Sequence, residues 1–137
     1  MNENQTITLA PKFVEVSEKL NNSIMSVIGQ ESVLGFQKAF LIANAIKELK
    51  MLLVPEYMNP IMELQGNKLG FKTDKDKEGG YGINEVKNCL IEAVLIGLQP
   101  FNNEFNIIAG NMYPTKEGMG ALLKKISGLK YVKSVIS

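Results

Sequence analysis

Residues 84–98, NEVKNCLIEAVLIGL, constrain the fold more than any other stretch. Val86, Cys89, Leu90, Ala93, Val94 and Ile96 or Gly97 recur at helical spacing and fill an arc too wide for a helix that meets only one neighbour. Such a helix is expected to be central and buried, with Asn84 as its N-cap. The rest of the chain must supply the layers around it. With 137 residues, 45% of them hydrophobic, the chain is long enough for one compact domain and short for two, so a single domain over 1–137 is expected.

Three further helices are expected before it. From Pro11, a favoured first helical residue, Phe13, Val16, Leu20, Ile24, Val27 and Ile28 follow a three-and-four spacing that halts at Gly29. A second periodic run starts at Glu31 or Ser32 and passes through Phe36, Phe40, Ala43, Ile46 and Leu49 to Leu53, where Pro55 stops it. A shorter third helix is expected over 57–65, ending at Gly66. Phe36 with Phe40 and Met58 with Met62 read as core stripes. Residues 1–66 thus form a mainly helical layer, with 1–10 a frayed end or an edge strand.

The texture changes at NKLGFKTDKDKEGGYG. Residues 68–72 read as a short strand, and 67–83 as a mobile charged loop in which Lys72, Lys75 and Lys77 balance Asp74, Asp76 and Glu78. The two aspartates do not sit at the offsets of a calcium loop, so calcium is discarded. After the central helix, Gln99-Pro100 and the Asn102-Asn103 turn lead into a β-hairpin made of 104–109 and 112–113. Thr115 then reads as the N-cap of a helix with Met119, Leu122, Leu123 and Ile126 on its buried side, closed by Gly128. The last nine residues, LKYVKSVIS, read as a strand, and further strands are expected to pair with it. The fold class is α+β: N-terminal helices, then helix, β-hairpin, helix and strand, with a small antiparallel sheet packed against helices over 84–137.

Composition narrows the chemistry. Histidine is absent, which removes the commonest general base and the usual zinc ligand. Cys89 is the single cysteine, so no internal disulfide forms, and its apolar helical setting reads as a buried structural thiol. No phosphate-binding loop of the GxxxxGK type is present, and the glutamates are scattered rather than paired for two-metal work. No catalytic residue, metal or cofactor is expected. No apolar run approaches the roughly 20 residues of a membrane span, and the N-terminus lacks a signal-peptide pattern, so a cytoplasmic protein with no membrane partner is expected.

All 15 basic residues are lysines, so an anion would be held by point charges rather than by guanidinium forks. From residue 108 onward Lys116, Lys124, Lys125, Lys130 and Lys133 face a single acid, Glu117, and are interleaved with Tyr113 and Tyr131. Lysines for phosphates and aromatics for unpaired bases are the two components of sequence-tolerant single-strand binding. A solvated helix face beside an ordinary strand would look the same in composition. Gly118 and Gly120 also carry two readings: close helix-on-sheet packing, or access of a phosphate to the first-turn N–H groups.

From Glu85 onward the chain resembles the RecT/Redβ group of phage single-strand annealing proteins. The residues that carry the resemblance are CLIEAVLIGLQP, FNNEFNIIAGNMYPTKEGMGALLKKISG and LKYVKSVIS, in the family's order of apolar helix, turn, hairpin, glycine-containing motif, basic helix and strand. The family's motif commonly reads G-Y-K-G and an apolar residue; here Gly118 and Met119 correspond, while Lys116 stands one place early and Glu117 takes its slot. Members are usually about twice this length, which would make the chain an N-terminal piece or a shortened relative.

The resemblance implies ATP-independent annealing of complementary strands by a homo-oligomer, a ring or a filament, in phage recombination within a bacterial host cell. It implies single-stranded DNA and a phage exonuclease as partners. Lys116, Lys124, Lys125, Lys130 and Lys133 are then the expected phosphate contacts, Tyr113 a stacking platform, and Gly118 a backbone contact. The rival expectation is a protein-interaction or assembly module that ignores nucleic acid; a small metal-dependent nuclease is a third, which the scattered carboxylates disfavour.

Overall fold

A computed structural model describes residues 9–125. The chain falls into two compact units, divided between Leu52 and Leu53, where one domain was expected.

The first unit is a helical hairpin of α1 (Pro11–Ile28) and α2 (Gly35–Leu52), with Pro11 opening α1 as anticipated. Helix α1 buries Val16, Ser23 and Val27, at spacings of seven and four, and α2 buries Ala45 and Leu49. The buried Ser23 hydroxyl donates to the Glu48 carboxylate. The Lys38 ammonium closes the end of α1 by donating to the carbonyls of Val27 and Gln30 at 2.7 and 3.0 Å. Phe36 and Phe40, expected in the core, are instead 82% and 70% exposed. Each stands nine residues from a buried partner, Ala45 or Leu49, and nine residues at about 100° each place them on the opposite side of the helix. Helix α2 carries two apolar faces, and periodicity alone does not choose between them.

The second unit contains α3 (Pro55–Met62), β1 (Lys72–Thr73), a 3-10 turn (Asp76–Glu78), α4 (Ile83–Leu95), β2 (Phe105–Ile108), β3 (Asn111–Pro114) and α5, helical over the described residues 116–125. The α+β class stands, but the sheet is mixed rather than antiparallel. Its order is β1-β2-β3, with β1 parallel to β2 and β2 antiparallel to β3. Parallel neighbours need a crossover, and α4 lies within the connection from β1 to β2.

Helix α4 is the central element anticipated: Val86, Cys89, Leu90, Ile91, Ala93, Val94 and Leu95 are all buried. It begins two residues early, with Gly82 rather than Asn84 at its N-cap. Beneath it, Phe71 and Phe105 are fully buried and stack at 4.9 Å between ring centroids. Met58, Val86, Leu98 and Ile107 complete this core.

The stretch expected as a mobile loop, 67–83, carries hydrogen bonds at several points. The Thr73 hydroxyl donates to Asp76 Oδ1 at 2.7 Å, and the Gln65 side-chain amide meets both backbone groups of Tyr81. The Asp74 N–H donates to the Ile107 carbonyl, prolonging the β1–β2 pairing. Charge and glycine content describe this segment's surface, whereas several of its hydrogen bonds join residues 16 or more positions apart.

Candidate nucleic-acid interface

Of the expected DNA-contacting residues, the described ones, Tyr113, Lys116, Gly118, Lys124 and Lys125, lie along β3 and α5. Thr115 makes the junction. Its hydroxyl accepts the Gly118 N–H at 2.9 Å, the N-cap bond anticipated from sequence, and donates to the Asn103 carbonyl at 2.7 Å. Its N–H continues the hairpin ladder to the Glu104 carbonyl. Glu104 is itself buried, and its Oε1 accepts the Gln99 N–H at 2.9 Å.

Gly118 is buried at this junction. A Cβ there would lie 2.0 Å from the Glu104 carbonyl oxygen and 2.9 Å from a Leu98 methyl. Of its two sequence readings, close packing is the one its surroundings match. Its own N–H is already given to the Thr115 hydroxyl.

The lysines divide by helix face. Gly118 and Leu122 face the end of α4, where a Leu122 methyl lies 3.0 Å from the Cβ position of Gly97. Lys125 lies on that same side, and its ammonium donates to the Gly97 carbonyl at 3.1 Å, serving the C-terminal end of α4. Lys116 and Lys124 are exposed, and at about 100° per residue they bracket the direction opposite Gly118, some 80° apart. Lys130 and Lys133, with Tyr131, lie outside the described residues.

Strand register brings in residues that sequence reading missed. Lys72 pairs with Asn106 across β1 and β2, and Asn106 pairs with Tyr113 across β2 and β3. Residues paired in this way project from the same face of a sheet. Phe105 and Ile107 alternate to the other face and are buried, whereas Tyr113 is 48% exposed and Lys72 is exposed. Helix α4 packs against β2 and β3. The row of cation, amide and phenol therefore lies on the face away from α4, which is open among the described residues. Asn106 is held still: its Nδ2 donates to Asn103 Oδ1 at 2.8 Å and to the Phe105 carbonyl at 2.9 Å. The signal for Lys72 lay in its place directly after the buried Phe71, but its partners are set by pairing with a strand more than 30 residues away.

Besides Asp76, which is bonded to Thr73, a second acid shares this end of the sheet. Asp74 accepts the Tyr81 hydroxyl at 2.5 Å and the Ala109 N–H at 3.2 Å, while the Tyr81 oxygen accepts the Gly110 N–H at 3.0 Å. The Tyr81 bond holds the Asp74 carboxyl below its usual range, against a smaller desolvation effect, and the same bond raises the Tyr81 phenol. These bonds brace the hairpin turn, where Ala109 and Gly110 both have positive φ, 53° and 78°. Cys89 is buried, and burial pushes its thiol up, helped by the charges of Glu92 and Glu85. That is the setting of a structural rather than a reactive thiol.

Among the described residues no group of three or more histidine, cysteine, aspartate or glutamate side chains could hold a metal ion. None of their helices is long and apolar enough to cross a membrane. Comparisons with protein-family models, with curated proteins and with solved structures find no match.

Proposed function

We propose that the chain binds single-stranded DNA and anneals complementary strands without ATP, as a homo-oligomer acting in phage recombination. The observation that carries this reading is the half-exposed Tyr113 ring on the open sheet face, three residues before Lys116 at the start of α5. Lys124 shares the outward side of that helix. Stacking surface and cations adjoin on one stretch of chain, and they suit a ligand with flat bases and a phosphate backbone. The order of motifs shared with the RecT/Redβ group supports the annealing step and a phage exonuclease as a partner. Lysine charges hold phosphates without reading base edges, which leaves bases free to find complements.

The test is annealing of two complementary fluorescent oligonucleotides without nucleoside triphosphate, alongside binding of one strand across a salt series. Annealing is expected, with affinity falling steeply as salt rises. Absence of annealing together with salt-indifferent binding rejects the proposal.

A second reading, an assembly module that does not touch nucleic acid, is favoured by one feature. Phe36 and Phe40 stand 6.5 Å apart between ring centroids on the exposed side of α2. Light scattering with gel shift separates the two: this reading expects a defined oligomer and no shifted DNA.

A further inference from the structure

We infer that the open face of the sheet is a site for one unpaired nucleotide, formed by Tyr113, Asn106 and Lys72. The inference rests on the single-strand binding proposed above and adds two residues, one from each of the other strands. Tyr113 supplies the face on which the base stacks, and Lys72 supplies the charge that meets its phosphate.

Geometry fits a single nucleotide. Lys72, Asn106 and Tyr113 form one cross-strand row, so the α-carbons of Lys72 and Tyr113 stand two strand spacings apart, about 10 Å. A lysine side chain closes much of that distance, which leaves its ammonium within reach of the phosphate of a base lying on the phenol. Asn106 lies between them and keeps the gap low and rigid, because both hydrogens of its amide are spent on Asn103 and Phe105. The Phe105 carbonyl can only accept, which fixes the nitrogen on that side and leaves the amide oxygen unspent.

The cation of the row is also free to meet a phosphate. Lys72 makes no ion pair among the described residues. The nearby acids are held by other donors, Asp74 by the Tyr81 hydroxyl and the Ala109 N–H, and Asp76 by the Thr73 N–H and hydroxyl. The ligand is single-stranded because stacking on Tyr113 requires a base face free of its neighbours.

The sequence contains no tryptophan, so Tyr113→Trp places a single indole reporter in the site while keeping a stacking surface. Titrating the full chain carrying this substitution with an oligothymidylate is expected to quench the indole, and titrating it with an abasic strand of equal length is not. Against the same oligothymidylate, Tyr113→Ala weakens binding about tenfold. Lys72→Ala lowers the slope of log affinity against log salt by about 0.7, the value for one phosphate on a single strand. With the abasic strand the Tyr113→Ala penalty disappears while the Lys72→Ala effect stays. If the parent chain binds DNA and neither substitution changes affinity or salt slope, the row is not the site, although the chain still binds single strands. If the parent chain binds no oligonucleotide at all, the inference falls together with the function it rests on.

Discussion

The carbonyl oxygen of Glu104 lies 2.0 Å from the point where a Cβ on Gly118 would stand. No side chain fits there, and the atom that blocks it is backbone, so a substituted residue must push α5 away from the hairpin. Gly118→Ala is expected to destabilise the protein by about 2–3 kcal/mol, in the manner of an overpacked core. Urea unfolding followed by circular dichroism measures it. A loss under 0.5 kcal/mol would show that the junction yields easily.

The bond between Tyr81 and Asp74 makes stability depend on pH at both extremes. Asp74 is held below its ordinary value in the fold. Its contribution is therefore present above the unfolded carboxyl pKa, about 3.9, and is lost as pH falls through the lower folded value. Tyr81 is raised, so its contribution is present below about 10 and is lost as pH rises through the higher folded value. The difference in melting temperature between the parent chain and Tyr81→Phe is expected to be flat from about pH 5 to 9 and to shrink beyond both ends. A difference that grows toward either extreme contradicts this account.

Ala109 occupies the first central position of the hairpin turn with φ at 53°, where its Cβ is strained. Asparagine tolerates this conformation and is the preferred companion of the following glycine. Ala109→Asn is expected to stabilise the second unit by about 1 kcal/mol. An unchanged or lower denaturation midpoint would mean that the braces from Asp74 and Tyr81 already absorb the strain.

The lysines of α5 are expected to separate by task. Lys116→Glu with Lys124→Glu should lower oligonucleotide affinity at least tenfold and flatten its salt dependence, leaving the melting temperature within a degree or two. Lys125→Ala should instead cost about 0.5–1 kcal/mol of stability, since its ammonium serves the Gly97 carbonyl, with a smaller effect on DNA. Equal effects from both variants on both measurements would remove the division by face.

What the sequence determined by itself is local. The apolar arc of 84–98 required a buried central helix. Pro11 and Thr115 marked helix starts through backbone geometry and a hydroxyl cap, and the Asn102-Asn103 turn leading into 104–109 marked a hairpin strand. Such features depend on neighbours within about four residues, which a linear reading contains. Tertiary structure decided the rest. It set which of two apolar faces of α2 is buried, and it made the sheet mixed by pairing Lys72 with a strand more than 30 residues later. It also joined the charged segment 67–83 to distant residues by hydrogen bonds, and divided neighbouring lysines between a packing bond and solvent. The proposed nucleotide row belongs to this second group, because a strand register is a relation between distant segments and leaves no periodic trace in either one.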